Sequence, residues 1–218
     1  MNLLAILLTP FALAPEGASE RYLDCLSLVE ADVELGRRAA QLWVGEGATP
    51  SAQHCLAVAD LAAGFSKLGA ARLEALAERK DAGDEFIRAR LLAQAAEAWL
   101  AADEADSADR AIKAAFEHAP GAGELHLTAA SVHAAKGRQQ QVVAAISAAE
   151  QAGFATPRGY VERGRAYLAL GAYVAAAEDV VNALTLEPTN IDALTLRGDV
   201  QRTGIDIDVS LRPAPAQQ

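Results

Sequence analysis

Apolar and small positions recur along the chain with the period of a helix, in runs of about a dozen residues broken by glycine, proline or acidic turns. The clearest run is Tyr160 to Asn190. Its first half places Tyr160, Gly164, Tyr167 and Gly171 at three- and four-residue steps, and its second half does the same with Tyr173, Ala176, Val180 and Ala183 before Pro188. Such spacing puts one apolar stripe on each of two successive helices. Read this way, the sequence predicts helices at about 20–30, 32–45, 51–67, 70–80, 85–102, 105–118, 122–136, 139–152, 157–170, 173–187 and 190–203.

The stripes repeat at a fixed interval of 34 residues. One step back from Tyr160 lie His126, Ala130, His133, Gly137, Val142, Ile146 and Ala149; another step reaches Leu92, Ala96, Trp99, Ala108, Ile112, Ala115 and Pro120. One step forward gives Leu194 and Gly198, the start of a first helix. Upstream, Val58, Ala62, Phe65 and Gly69 fall on the same lattice, with a turn that reads about three residues short. Repeats of this kind cannot bury their faces alone and must stack. Gly164 and Ala176 would lie where paired helices approach most closely, Tyr160, Tyr167, Trp99 and Val180 would fill wider gaps, and Pro120 and Pro188 would stop second helices.

The order and spacing of these positions resemble the tetratricopeptide repeat family. The resemblance implies an all-α, right-handed superhelical solenoid of antiparallel helix pairs, with about 4–5 repeats and a C-terminal capping helix. The organisation expected is a leader at 1–14, a degenerate helix pair at 20–48, repeats with the capping helix at 50–204, and a tail at 205–218. That tail carries Pro213 and Pro215 and is expected to be mobile at its end; its alternating Ile205, Ile207 and Val209 could instead lie against the last helix as a cap.

Composition agrees with an all-α scaffold. The apolar content is mainly alanine and leucine, with two Trp, five Phe and four Tyr, which favours closely packed helices over a β-sandwich. A net charge of -10 excludes nucleic acid and anionic membrane surfaces as partners for the body of the protein. The first fourteen residues, MNLLAILLTPFALA, form an uncharged apolar run too short to span a bilayer and end in a small-x-small pattern, as an export signal would. Against that stand the absence of Lys or Arg ahead of the run and Pro15 after the cleavage point. The expectation is a periplasmic or secreted protein without membrane insertion after cleavage. The alternative is a cytoplasmic module whose N-terminal run packs as a helix.

Cys25 and Cys55 are the only cysteines, each a short way into the first helix of adjacent repeats. Parallel first helices would bring the two sulfurs to similar height, so a disulfide is feasible; two buried thiols are the other reading.

No nucleophile elbow, zinc-protease, phosphate-loop or Cys-x-x-Cys motif is present, and no catalysis, cofactor or metal is expected. His126 and His133 occupy packing positions, His54 and Cys55 as neighbours diverge on a helix, and His118 stands at a helix end. What the family resemblance implies is a protein or peptide partner held in a concave groove lined by first helices. The positions carried over are Arg90 and Glu97; Glu124, Leu127 and Ser131; Arg158, Val161, Arg165 and Leu168; and Asp192, Asp199 and Arg202. Arg158 and Arg165 share a helix face with Leu168 in an acidic protein. They either pair with carboxylates of an acidic partner segment or bridge Glu162 and Glu178 within the protein. The Lys and Asn pattern of the family's chaperone-tail clamp is absent.

Overall fold

A computed structural model describes residues 20–207. The apolar run at 1–14 and the tail from 208 onward, Val209 included, lie outside the described residues. Within them are eleven helices and no strands.

Two compact units divide the expected 50–204 run between Ala122 and Gly123. The first holds α1 (Glu20–Ala31), α2 (Val33–Glu46), α3 (Pro50–Ala62), α4 (Ser66–Ala77), α5 (Glu85–Ala101) and α6 (Ala105–His118). The second holds α7 (Leu125–Ala135), α8 (Gln139–Gln151), α9 (Pro157–Ala169), α10 (Tyr173–Leu186) and α11 (Ile191–Gln201). Within each unit successive helices pair as hairpins, and α1 packs on α3 as α9 packs on α7 and α11.

First and second helices of the hairpins start in different ways. The first helices α3, α5, α9 and α11 are capped by side chains: Thr49, Asp84, Thr156 and Asn190 accept from amides two or three residues into the helix. The second helices α4, α6, α8 and α10 have no side-chain cap and follow a left-handed residue: Gly64, Asp103, Gly137 and Gly171. At each of these turns one amide reaches back over five residues, from Phe65 to Asp60, Glu104 to Trp99, Arg138 to His133 and Ala172 to Tyr167.

The accepting carbonyls at 60, 99, 133 and 167 correct the upstream register: the last two intervals keep the 34-residue step, and the first is five residues longer. The turn of the α3–α4 hairpin is therefore at Gly64, where φ is 83°, not at Gly69. Accordingly α4 starts at Ser66, earlier than the expected 70, and α3 stops at Ala62. The extra length lies in the 17-residue α5 and the connection before it. Gly69 serves close packing instead: a Cβ there would stand 2.4 Å from Leu61 Cδ2 and 3.1 Å from the Ala57 carbonyl.

In the first unit, Tyr22, Cys25 and Val29 of α1 join Ala40 and Trp43 of α2 and Ala52, Cys55, Leu56 and Val58 of α3 in one core. A disulfide joins Cys25 to Cys55, with Cα atoms 6.4 Å apart. In the second unit the core runs from Tyr160 and Val161 through Ala176, Val180 and Ala183 to Ala193, Leu196 and Val200, and Ile207 beyond α11 is buried against it. The tail thus begins by lying on the helices, with Ile205 also packed there.

Candidate functional site

Three first helices of the second unit, α7, α9 and α11, present a row of paired charges. On α9, Arg158 Nε donates to Glu162 Oε1 at 3.0 Å, one turn along the helix, and its Nη2 donates to Ser131 Oγ of α7 at 2.9 Å. The Ser131 hydroxyl donates in turn to Glu162 at 3.0 Å. Arg165 reaches the other way and pairs with Asp192 of α11 at 2.7 Å, not with Glu178. Arg202 pairs with Asp199 just below.

Leu127 and Leu168 are half-buried along this row, and Glu124 stands at the N-terminus of α7. Val161 does not join it: at 2% exposure it belongs to the core, because its helix angle points between α9 and its neighbours. Arg90 and Glu97 lie on α5 of the first unit, both half-buried, with the Arg90 guanidinium 5.5 Å from the centre of the Phe86 ring. The pairs of the row are solvent-exposed on at least one side, and such pairs are worth only about 0–1 kcal/mol each. They order the side chains without locking them.

Three buried polar networks sit beneath the surface. In the first unit the Asp60 carboxylate, wholly buried on α3, is clamped by Arg37 of α2 and Arg72 of α4, each at 2.7 Å. In the second, Arg163 of α9 makes a bidentate pair with Asp179 of α10, at 2.9 and 2.8 Å. Its remaining Nη1 donates to Glu150 and Ser147 of α8. Tyr160 donates its hydroxyl to the same Glu150 at 2.8 Å. The two networks do the same work with opposite polarity, since each places one buried charge of a first helix between two second helices.

The third network is a line of neutral groups across α1, α3 and α5. His54 Nε2 meets Gln94 Oε1 at 2.9 Å, and its Nδ1 meets the Tyr22 hydroxyl at 2.9 Å. An amide oxygen can only accept, so Nε2 carries the proton and Tyr22 donates to Nδ1. Burial pushes the His54 pKa down to about 4, against a partial rise from Gln94, and pushes the Tyr22 hydroxyl up to about 12.

Because the folded imidazole binds its proton less tightly than the unfolded one, its contribution is fully present above pH 6.5. It is lost as pH falls toward 4. Unfolding followed through Trp43 and Trp99, both in the first unit, should lose about 3 kcal/mol over that window on this account. The His54→Gln variant should lack that part of the slope, and an unchanged slope would refute the assignment.

None of these networks was legible as a site in the sequence. A hint was available for one: Arg163 immediately precedes the small residue Gly164 that faces α10, and Asp179 follows the second helix's own small residue, Ala176, by one turn. Among the described residues no three His, Cys, Asp or Glu side chains group as a metal would require, and no helix is long and apolar enough to cross a membrane.

This arrangement of stacked helical hairpins has a counterpart in the crystal structure of TTC0263, a thermophilic TPR protein of Thermus thermophilus. The two superpose with a TM-score of 0.61 over 83% of this chain and 96% of that one, at 18% sequence identity. The fold is that of a tetratricopeptide-repeat protein. Neither a family model nor a curated protein matches the sequence. At this identity the tetratricopeptide-repeat likeness is one of fold alone.

Proposed function

We propose that this tetratricopeptide-repeat chain is a non-catalytic scaffold that holds a protein or peptide partner on the face of α7, α9 and α11, in the bacterial periplasm or cell envelope. The observation that carries the reading is the row itself: Arg158 and Arg165 each reach across to a neighbouring first helix and are already oriented, by a half-buried Glu162 and by an exposed Asp192 carboxylate. A partner carboxylate can replace Asp192 at small cost, because that exposed pair is weak in water, and can join Glu162 on the exposed side of Arg158, whose geometry is kept.

Export is supported by two independent features. The apolar N-terminal run ends in Ala12-Leu13-Ala14, and the disulfide between Cys25 and Cys55 belongs to an oxidising compartment.

A crosslinking pull-down from the native host tests the reading. The parent chain should retain a partner that the Arg158→Glu, Arg165→Glu double variant loses, and the partner's crosslinked peptide should be acidic. Equal capture by both chains would remove the α9 arginines from the function. Mass spectrometry of the same protein should find a mature N-terminus beyond Ala14, and a chain that still begins at Met1 would defeat the export reading.

A further inference from the structure

Among the described residues α11 is the last helix, a first helix with no second laid on it. Its lattice positions can be compared directly with those of α9, thirty-four residues earlier. Gly164 of α9 is closed in: a Cβ there would stand 2.7 Å from Leu196 Cδ2, 3.3 Å from Asp179 Cβ and 3.6 Å from the Ala176 carbonyl, the last two on α10. Gly198 holds the same place on α11, and a Cβ there would meet only the tip of Arg202, at 3.9 Å. Tyr160 is 9% exposed, whereas its counterpart Leu194 is 36% exposed and Ile191, one turn earlier on the same stripe, is 79% exposed. The opposite side of α11, through Ala193, Leu196 and Val200, is fully buried. The stripe that α10 and Leu196 of α11 cover on α9 is bare on α11 among the described residues.

Charge points to what fits there. Arg197 follows Arg163 by the same thirty-four residues. Arg163 is satisfied from both sides, by Asp179 on its own second helix and by Glu150 and Ser147 on the preceding one. On α10 the positions corresponding to Ser147 and Glu150 are Val181 and Leu184, so the two acceptors that the preceding second helix gives Arg163 have no counterpart for Arg197. Arg197 is only partly buried and has no ion pair among the described residues. The remaining complement is a carboxylate on a helix laid over Gly198, as Asp179 is laid beside Gly164.

We propose that the bare face of α11 is a docking seat for one amphipathic helix of a partner protein. The helix lies on α11 as α10 lies on α9, sets a small residue over Gly198 and carries an acidic residue one turn further on that pairs with Arg197. The pattern is that of Ala176, Asp179, Val180 and Ala183 in α10. A second copy is a poor occupant, because its own helices with this pattern are buried in their hairpins and two bodies of charge -10 repel. Residues 208–218 contain Pro213 and Pro215 and no stripe of alanines at helical spacing before them. The proposal rests on Gly198 and Arg197 and stands whether or not the Arg158 and Arg165 pairs bind a partner.

The probe is an acetylated, amidated peptide with the sequence Tyr173–Leu186, titrated into the full chain with fluorescence anisotropy as the readout. Saturable one-to-one binding is expected. It should weaken by roughly tenfold or more for the Gly198→Leu chain, and equally for a peptide with Asp179→Lys. An Arg197→Glu chain should recover binding to the Asp179→Lys peptide. Gly198→Leu should melt with the parent, since its surroundings are open, whereas Gly164→Leu should melt well below it. Three results would overturn the proposal. One is no saturation up to about 1 mM, or binding indifferent to Gly198→Leu and Arg197→Glu. Another is binding that emerges only after deletion of residues 208–218, which assigns the seat to the chain's own tail. The third is a dimer of the full chain that Gly198→Leu abolishes.

Discussion

Asp179→Ala is expected to cost about 3 kcal/mol of stability in the second unit, because it leaves the Arg163 guanidinium buried with half of its complement gone. Arg163 is 9% exposed and cannot regain water without pulling apart α9 and α10; Glu150 remains opposite it, which keeps the loss at the lower end for a broken buried pair. The two partners show why the pair is costly to half-remove. Asp179 holds Arg163 charged, raising its pKa, while burial outweighs the pairing at Asp179 itself and raises the carboxyl above its ordinary value. The charges tolerate each other more than they drive folding. Arg163→Met with Asp179→Leu should therefore lie much closer to the parent than Asp179→Ala alone. Urea unfolding followed by circular dichroism checks the series. A single variant as stable as the parent would mean the guanidinium finds water, and a double variant as weak as the single would mean that the pair supplies net stability.

Loss of the disulfide has the second large effect. Cys25 and Cys55 close a loop of 30 residues, and opening it should destabilise the first unit by roughly 3–4 kcal/mol, by freeing the unfolded chain. The loss concentrates at α1, which is held to α3 by that bond, by Tyr22 on His54 and by the shared core. Trp43 fluorescence should report a transition at lower denaturant in the Cys25→Ala, Cys55→Ala chain than in the oxidised parent. Coincident transitions would show that packing alone holds α1. Both cysteines are buried, so mild reductant without denaturant should leave the bond intact.

Much of the fold was legible in the chain before any helix was placed. Tyr160, Gly164 and Tyr167, repeated as His126, Ala130 and His133, mark helix faces because the α-helical period is local and each small residue declares a close approach. The upstream register was less legible. Gly64 and Gly69 are both glycines near a helix end, and only packing tells the left-handed turn from the helical contact with Leu61. The candidate site divides in the same manner. That Arg158, Arg165, Asp192 and Arg202 belong to the first-helix face is what the family resemblance implied. That Arg165 chooses Asp192 over Glu178, that Val161 turns inward, and that Arg163 beside them is the buried arginine do not.

The sequence by itself determined the number and pairing of the helices and, from Trp99 onward, the 34-residue interval, since these depend on residues within a few turns of one another. Only the tertiary structure decided which charges meet, whether the two cysteines join and which face of α11 stays bare among the described residues. An arginine or a carboxylate reaches several acceptors from one backbone position, and the choice among them is made by the helices that stacking brings alongside.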